Sequence, residues 1–223
     1  MSMRRSIIVV ENFYTDPDSV RDYALALQYY LPYEGLGLSY WQTSKYTPLH
    51  LCPYKSSPTI IKCLEDAVGE KIDMNHWNAN YPVDENSQPI TEHHDAKHAC
   101  LWNGSFHAKI NSGVSPSEVV HNHVTDVWNP CGSNGWAGIV YLNPIVNLKD
   151  GLNLWTNIDP NRQLDWMTPS NNWLLVDSLA NIYNRLILCR ANLPHSGANG
   201  FGDNIATARL YQTFFFRTIA TPS

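Results

Sequence analysis

Residues 208–216 read Ala208-Arg209-Leu210-Tyr211-Gln212-Thr213-Phe214-Phe215-Phe216. Aliphatic and aromatic side chains dominate and no glycine or proline interrupts them, so the stretch predicts a β-strand. Similar short runs recur upstream at Phe106–Ile110, Glu118–His121, Trp136–Leu142, Leu152–Trp155, Trp173–Val176 and Leu186–Cys189, separated by Gly, Pro and Asn. Strands of that length and spacing predict an antiparallel sandwich or barrel. At one point the pattern is ambiguous, because Leu174, Asp177, Ala180 and Tyr183 are spaced as a short helical turn would require.

The first hundred residues read differently. Ile7–Val10 predicts a strand, and Asp16 before Pro17 predicts a helix start, with Asp18 favouring the dipole. Val20, Tyr23, Ala24 and Leu27 then share one apolar face. A second helix is expected from Ser57-Pro58 to Val68, with Ile60, Cys63, Leu64 and Ala67 on one side and Gly69 as its cap. Asn75 to Asp95 is polar and reads as a loop. The expected fold class is therefore mostly β with N-terminal helices. One domain over residues 1–223 is the simplest organisation, with 1–100 as helices and loops and 101–223 as the β-core.

A chain of 223 residues buries roughly 70% of its unfolded surface, ample for a core. Charged residues make up 16% and aromatics 12%, which excludes both disorder and a coiled coil. The net charge of −5 offers no basic footprint, so no nucleic-acid partner is expected. Five cysteines (Cys52, Cys63, Cys100, Cys131, Cys189) are an odd number without a C-x-x-C pair, which predicts free thiols and a cytoplasmic setting. Glu11 ends the apolar run after Arg4-Arg5 too early for a secretory leader, and no stretch has the length of a membrane span. The Asn103-Gly104-Ser105 sequon is accordingly expected to be idle.

The chemistry concentrates in a few polar residues. His50 and His76 stand alone, His93, His94 and His98 gather with Asp95 in the polar middle, and His107 falls in a strand. Val119-Val120-His121-Asn122-His123-Val124-Thr125-Asp126 is more informative. On a strand, residues i and i+2 face the same way, so His121 and His123 can reach one ion, and a turn can return Asp126 to it. His195, in Leu193-Pro194-His195-Ser196-Gly197, offers a further ligand. Arg209 needs a counter-charge in so apolar a run, either a protein carboxylate or a bound small dicarboxylate.

These pieces, in this order, resemble the iron(II)/2-oxoglutarate-dependent oxygenases, in particular short prolyl-hydroxylase-like members. The resemblance rests on Gly135–Pro144, Gly151-Leu152-Asn153-Leu154-Trp155, Asn184–Leu188, His195-Ser196-Gly197 and Arg209–Phe215, with Val10–Pro17 matching the opening of such proteins. It implies a double-stranded β-helix, a jelly-roll with buttressing helices, forming one oxygenase domain with its metal site in 101–223. It also implies Fe(II) on a His-x-Asp/Glu pair and a distal His, with open positions for 2-oxoglutarate and O₂. His195 then matches the distal ligand, Arg209 the clamp on the far carboxylate of 2-oxoglutarate, and Tyr141 a tyrosine sharing that carboxylate or packing in the core.

The proximal pair departs from the family pattern, because His123 stands where an acid is expected. Asp126 can supply the carboxylate, His121, His123 and His195 can form a three-histidine site, or one position can be vacant. Asp126 is favoured, since a charged ligand partly neutralises the oxidised metal. Gly151-Leu152-Asn153 also departs, from a usual Gly-Gly-Thr, and Trp102, Trp128, Trp136 and Trp155 are pocket walls or core residues. The activity implied is oxidation of a C–H bond in a small polar substrate, an amino acid or similar metabolite ahead of a peptide side chain. A cupin-type metalloenzyme independent of 2-oxoglutarate and a sugar-binding jelly-roll module fit the same residues.

Overall fold

Ile7–Val10 forms strand β1, as its apolar run predicts, and the chain then turns into helix α1 (Pro17–Ala26). Asp16 caps α1, its carboxylate accepting from the Ser19 N–H at 3.1 Å, and Pro17 takes the first helical position, where it loses no hydrogen bond. Strands β2 (Tyr29–Tyr30) and β3 (Trp41–Ser44) follow, then the short α2 (Pro53–Ser56) and α3 (Pro58–Val68). Gly69 ends α3 at φ +73°, donating its N–H to Glu65 O at 2.8 Å. Strand β4 (Lys71–Ile72), helix α4 (Met74–Ala79) and strands β5 (Phe106–Lys109), β6 (Gly135–Tyr141), β7 (Leu152–Asn157), β8 (Trp173–Leu179), β9 (Leu186–Arg190), β10 (His195–Gly197) and β11 (Arg209–Ile219) complete the order. The computed structural model describes residues 6–31, 41–44, 52–79, 103–111, 119–124, 131–145, 148–159 and 172–219.

The strands form two antiparallel sheets. The large one has the order β1-β9-β6-β11-β5-β3-β2, with β4 also on β11, and the small one has the order β10-β7-β8. The first hundred residues thus contribute strands as well as helices. Strand β11 is covered on both sides, and its alternation sorts two cores. Leu210, Phe214 and Phe216 pack with Val20, Ala24, Ile60 and Leu64 of the helices. Tyr211 and Phe215 face the other way, toward Ile139, Tyr141, Leu152, Leu154 and Ile187 beneath the small sheet. The double-stranded β-helix with buttressing helices expected from the sequence is what forms.

Local differences have local causes. Met74–Ala79, inside the expected loop, is helical because Asp73 accepts from the N–H groups of Asn75 and His76 and Trp77 is buried, stacked on Phe214 at 6.1 Å. Residues 80–95 lie outside the described residues. Leu174–Leu179 is strand rather than helical turn, since β8 pairs with β7 from end to end with one irregularity at Val176. In α3 the buried residues are Ile60, Leu64 and Val68, and Cys63 is exposed. Trp136 is a core residue on the helix side, with the Arg190 guanidinium 4.0 Å from its ring centroid. Asn103 of the sequon is buried, its side-chain oxygen accepting from Phe215 N–H at 2.9 Å. Cys52, Cys63, Cys131 and Cys189 are free thiols, and Cys100 lies outside the described residues. No helix among the described residues is long and apolar enough to cross a membrane.

Asn184 locks the N-terminal segment to the sheet. It adopts φ +60°, a region asparagine tolerates better than most residues, and its side chain pairs with both Tyr14 N and Tyr14 O at 2.8 Å. Asn184→Ala leaves two buried backbone groups without partners, so the unfolding free energy should fall by about 2–4 kcal/mol in denaturant titrations. Asn184→Gly should recover only the backbone part, about 1 kcal/mol.

Candidate functional site

Three histidines meet where the small sheet begins. His121 and His195 form an antiparallel bridge, each donating its N–H to the other's carbonyl at 3.0 and 2.9 Å. On its other edge, β10 pairs with β7 in the register His195↔Leu154. His123 is held by its own backbone, its N–H donating to Ala191 O at 2.7 Å and its carbonyl accepting from Cys131 N–H at 2.8 Å. His121 and His123 come together with His195, His121 through this isolated bridge rather than through a strand.

One nitrogen from each of His121, His123 and His195 lies within 4.8 Å of the others, a spacing that one metal ion can span. Two of the rings are oriented by their own chains. His121 Nδ1 lies 2.9 Å from Val119 O and His195 Nδ1 lies 2.8 Å from Leu193 O. A carbonyl only accepts, so each Nδ1 carries the proton and each Nε2 keeps its lone pair. Burial, followed by His121 and His123, holds the His195 imidazole well below its usual range and keeps it neutral, as a ligand must be. The donor set fits a divalent transition metal. Asp126 lies outside the described residues, as do His50, His93, His94, Asp95, His98, Trp102 and Trp128. His76 sits in α4 and is not part of the His121, His123 and His195 group.

Arg209 and Tyr141 face the same interior. Arg209 is 1% exposed and meets backbone rather than a side-chain acid: Nε donates to Asp150 O and Nη2 to Gly151 O, both at 2.7 Å. Among the described residues, no carboxylate forms an ion pair with it. Nη2 also lies 3.4 Å from the Tyr141 hydroxyl, and the guanidinium carbon stands 4.8 Å from the Tyr211 ring centroid. Burial pushes the Tyr141 phenol up against the opposing pull of Arg209. Gly197 gives the guanidinium room, because a Cβ there would stand 3.0 Å from Nη1. His195 and Gly197 are two positions apart on β10, so both belong to the interior face.

Lys109 and His107 are the site residues that sequence reasoning did not assign. They alternate with Phe106 and Ala108, which pack on the helix side, and so face the interior. His107 lies 3.0 Å from both Thr43 Oγ1 and Thr213 Oγ1 and stacks on Tyr211 at 5.2 Å. Burial, aided by Arg209, pushes its imidazole down to about 3. The signal was present in the polar-apolar alternation of Phe106-His107-Ala108-Lys109, which a solvent-facing strand edge would share. Trp155 is half-buried and donates its indole N–H to Ser196 Oγ at 2.9 Å, beside His195.

No family model and no curated protein matches the sequence. Among solved structures, the fold is similar to a 2OG-Fe(II) oxygenase family oxidoreductase from Burkholderia pseudomallei, with 8% identity, 96% of this chain and 84% of that chain covered, and a TM-score of 0.50. HygX from Streptomyces hygroscopicus, solved with nickel and 2-oxoglutarate bound, is similar at 12% identity, with the same coverage of both chains and a TM-score of 0.50. A Pseudomonas putida prolyl-4-hydroxylase also matches at 12% identity, over 96% of this chain and 94% of that chain, with a TM-score of 0.43. The fold is the double-stranded β-helix of such oxygenases.

The neutral His107 makes stability pH-dependent with a known sign. Its imidazole binds a proton below about 6.5 when unfolded but only near 3 when folded, so its contribution is full above 6.5 and is lost as pH falls toward 3. Between pH 6.5 and 4.5, wild-type protein should lose stability more steeply than His107→Gln, by up to about 1.4 kcal/mol per pH unit. Denaturant titrations of both proteins at several pH values check this.

Proposed function

We propose that this chain is an iron(II)- and 2-oxoglutarate-dependent oxygenase. Its reaction oxidises a C–H bond of a small polar substrate such as an amino acid, by hydroxylation or a related outcome, with succinate and CO₂ as co-products. The observation that carries this reading is the presence, beside one another in the same interior, of three convergent imidazoles and a buried guanidinium whose hydrogen bonds among the described residues go to two carbonyls and a phenol. The shared fold supports it, as does the nickel and 2-oxoglutarate bound to HygX. We read residues 1–223 as one oxygenase domain, and the free thiols support a reducing, cytoplasmic setting.

In this reading His121, His123 and His195 hold the metal, and Asp126, outside the described residues, is the alternative source of a carboxylate. Iron(II), when bound, supplies the activation of O₂ that couples decarboxylation of 2-oxoglutarate to substrate oxidation. The protein's own part is positioning. Val119 O and Leu193 O fix two imidazole tautomers, so the ligands are preorganised. Arg209 Nη1, turned toward Gly197, and the Tyr141 hydroxyl are donors for the distal carboxylate of 2-oxoglutarate. Ile139, Ile187 and Phe215 belong to the apolar cluster that includes Tyr141, and Phe215 packs on His123, so the site is set in apolar surroundings.

Aerobic incubation with Fe(II) and 2-oxoglutarate should release succinate, and a panel of amino acids should raise its rate; no succinate with any panel member overturns the assignment. His195→Ala should weaken divalent-metal binding by more than about 100-fold, because losing an outer-shell partner alone costs about 10- to 100-fold. Titration with Co(II), followed by its absorbance, measures this. Arg209→Ala should weaken 2-oxoglutarate binding at least about 30-fold, the lower bound for removing a buried charged partner, with Arg209→Lys retaining part of it. The third imidazole in place of an acid favours a second reading, a cupin-type metalloenzyme. That reading is upheld if Arg209→Ala retains full oxidase activity and 2-oxoglutarate is not consumed.

A further inference from the structure

Asn181, in the turn between β8 and β9, is 0% exposed. Neither Oδ1 nor Nδ2 of its side chain has a hydrogen-bond partner among the described residues. Its neighbours in the same turn are bonded. Arg185 donates its N–H to Ile182 O at 3.1 Å and Nη1 to Ala180 O at 3.4 Å, and the Asn184 amide pairs with both backbone groups of Tyr14. The turn is therefore held from several sides, and the Asn181 amide is fixed inside it.

Two turns meet at this residue. A Cβ at Gly151, in the turn before β7, would stand 2.8 Å from both Asn181 N and Ala180 C. Leu152 and Leu179 are register partners, so the two turns lie side by side at one end of the small sheet. An amide taken out of water with neither its donor nor its acceptor engaged is costly, and native proteins pair such groups with protein or with ordered water. Internal water serves this purpose commonly, each molecule bonding about three groups.

We propose that Asn181 anchors an internal water site between the β8–β9 turn and the turn before β7, with Oδ1 accepting from buried water and Nδ2 donating to it. The remaining bonds of that water go to backbone groups of the two turns. Water is the ligand this amide fits, because it donates and accepts at once and because a residue closed to solvent admits only a small molecule. The site is independent of the metal and 2-oxoglutarate readings. It joins the turn that Asn184 locks to the turn that supplies the acceptors of Arg209, so that water is a built part of this end of the fold.

Oxygen-17 relaxation dispersion of the full chain, which counts long-lived internal waters, tests the proposal together with denaturant titration. Asn181→Leu keeps the branched shape, removes the amide and fills the space of the water. It should lose at least one long-lived water relative to wild type. Its unfolding equilibrium constant should rise at least about fivefold, because the backbone groups that the water served are left without a partner. Asn181→Ser, shorter but polar, should keep the water. A bare amide predicts the opposite sign: Asn181→Leu more stable than wild type with an unchanged water count overturns the proposal. Loss of stability in Asn181→Leu without loss of a water also overturns it, since the partner is then a protein group. Where Asn181→Leu does not fold, a crystal structure of the wild-type chain decides: water within about 3.2 Å of Oδ1 and Nδ2 upholds the site, and a protein group in its place overturns it.

Discussion

A guanidinium taken out of water must be given acceptors, and Arg209 receives them from the turn that begins the other sheet. Its bonds to Asp150 O and Gly151 O fasten β11, at the centre of the large sheet, to the residues that lead into β7 of the small one. Two glycines are consequences of that fastening. A Cβ at Gly151 would stand 1.7 Å from Leu179 O, so the turn cannot come this close with any other residue. A Cβ at Gly197 would stand 3.0 Å from Nη1, so a larger residue there would press the guanidinium aside by a few tenths of an ångström. One buried cation thus ties the two sheets together at this turn.

The same strand divides labour between its faces. Leu210, Phe214 and Phe216 bury α1, α3 and α4 against one side, and the interior side of β11 is left for Arg209, Tyr211, Thr213 and Phe215. Gln212 is the polar exception on the helix side, and its side-chain oxygen and nitrogen both find partners. It accepts from the Tyr14 hydroxyl and donates to Gly104 O at 2.9 Å. The helices thereby stiffen the strand from behind, and the polar groups facing the interior are fixed by a rigid element rather than a loop.

Legibility from sequence followed the same division. β1, α1, α3 and the strands after residue 100 were readable, since each has a clean apolar period or a cap at its start, as Asp16-Pro17 shows. His121, His123, His195, Arg209 and Tyr141 were readable because a charge-poor chain makes polar residues in apolar runs conspicuous. Helix α4 was hidden, because its core contact rests on one residue, Trp77, among polar neighbours. Lys109 and His107 were hidden for a different reason. A strand covered on both faces carries the same alternation as one half-exposed, so nothing local distinguishes a polar residue facing water from one facing a closed interior. The partners of Arg209 were invisible too, because Asp150 O and Gly151 O are backbone groups that every residue possesses.

The histidines show how little local structure suffices once the sheets are in place. His121 and His195 use one device twice: each Nδ1 bonds the carbonyl two residues before it on its own chain. The bond fixes both ring rotation and tautomer without help from another element. The antiparallel bridge between the two residues then sets their rings 4.6 Å apart, and His123, brought in by its backbone bond to Ala191, adds a third ring 5.1 Å from His195. His123 differs in packing on the Phe215 ring at 4.8 Å. One edge of the cluster is therefore set by β11, the strand that also carries Arg209. The proposed metal ligand His195 and the proposed anion-binding Arg209 lie on β10 and β11, and His123 packs on Phe215 of β11, so a displacement of either strand moves both groups. A chemistry that needs metal and carboxylate at a constant separation is served by that coupling, because the separation is set by pleated backbone and not by side-chain reach.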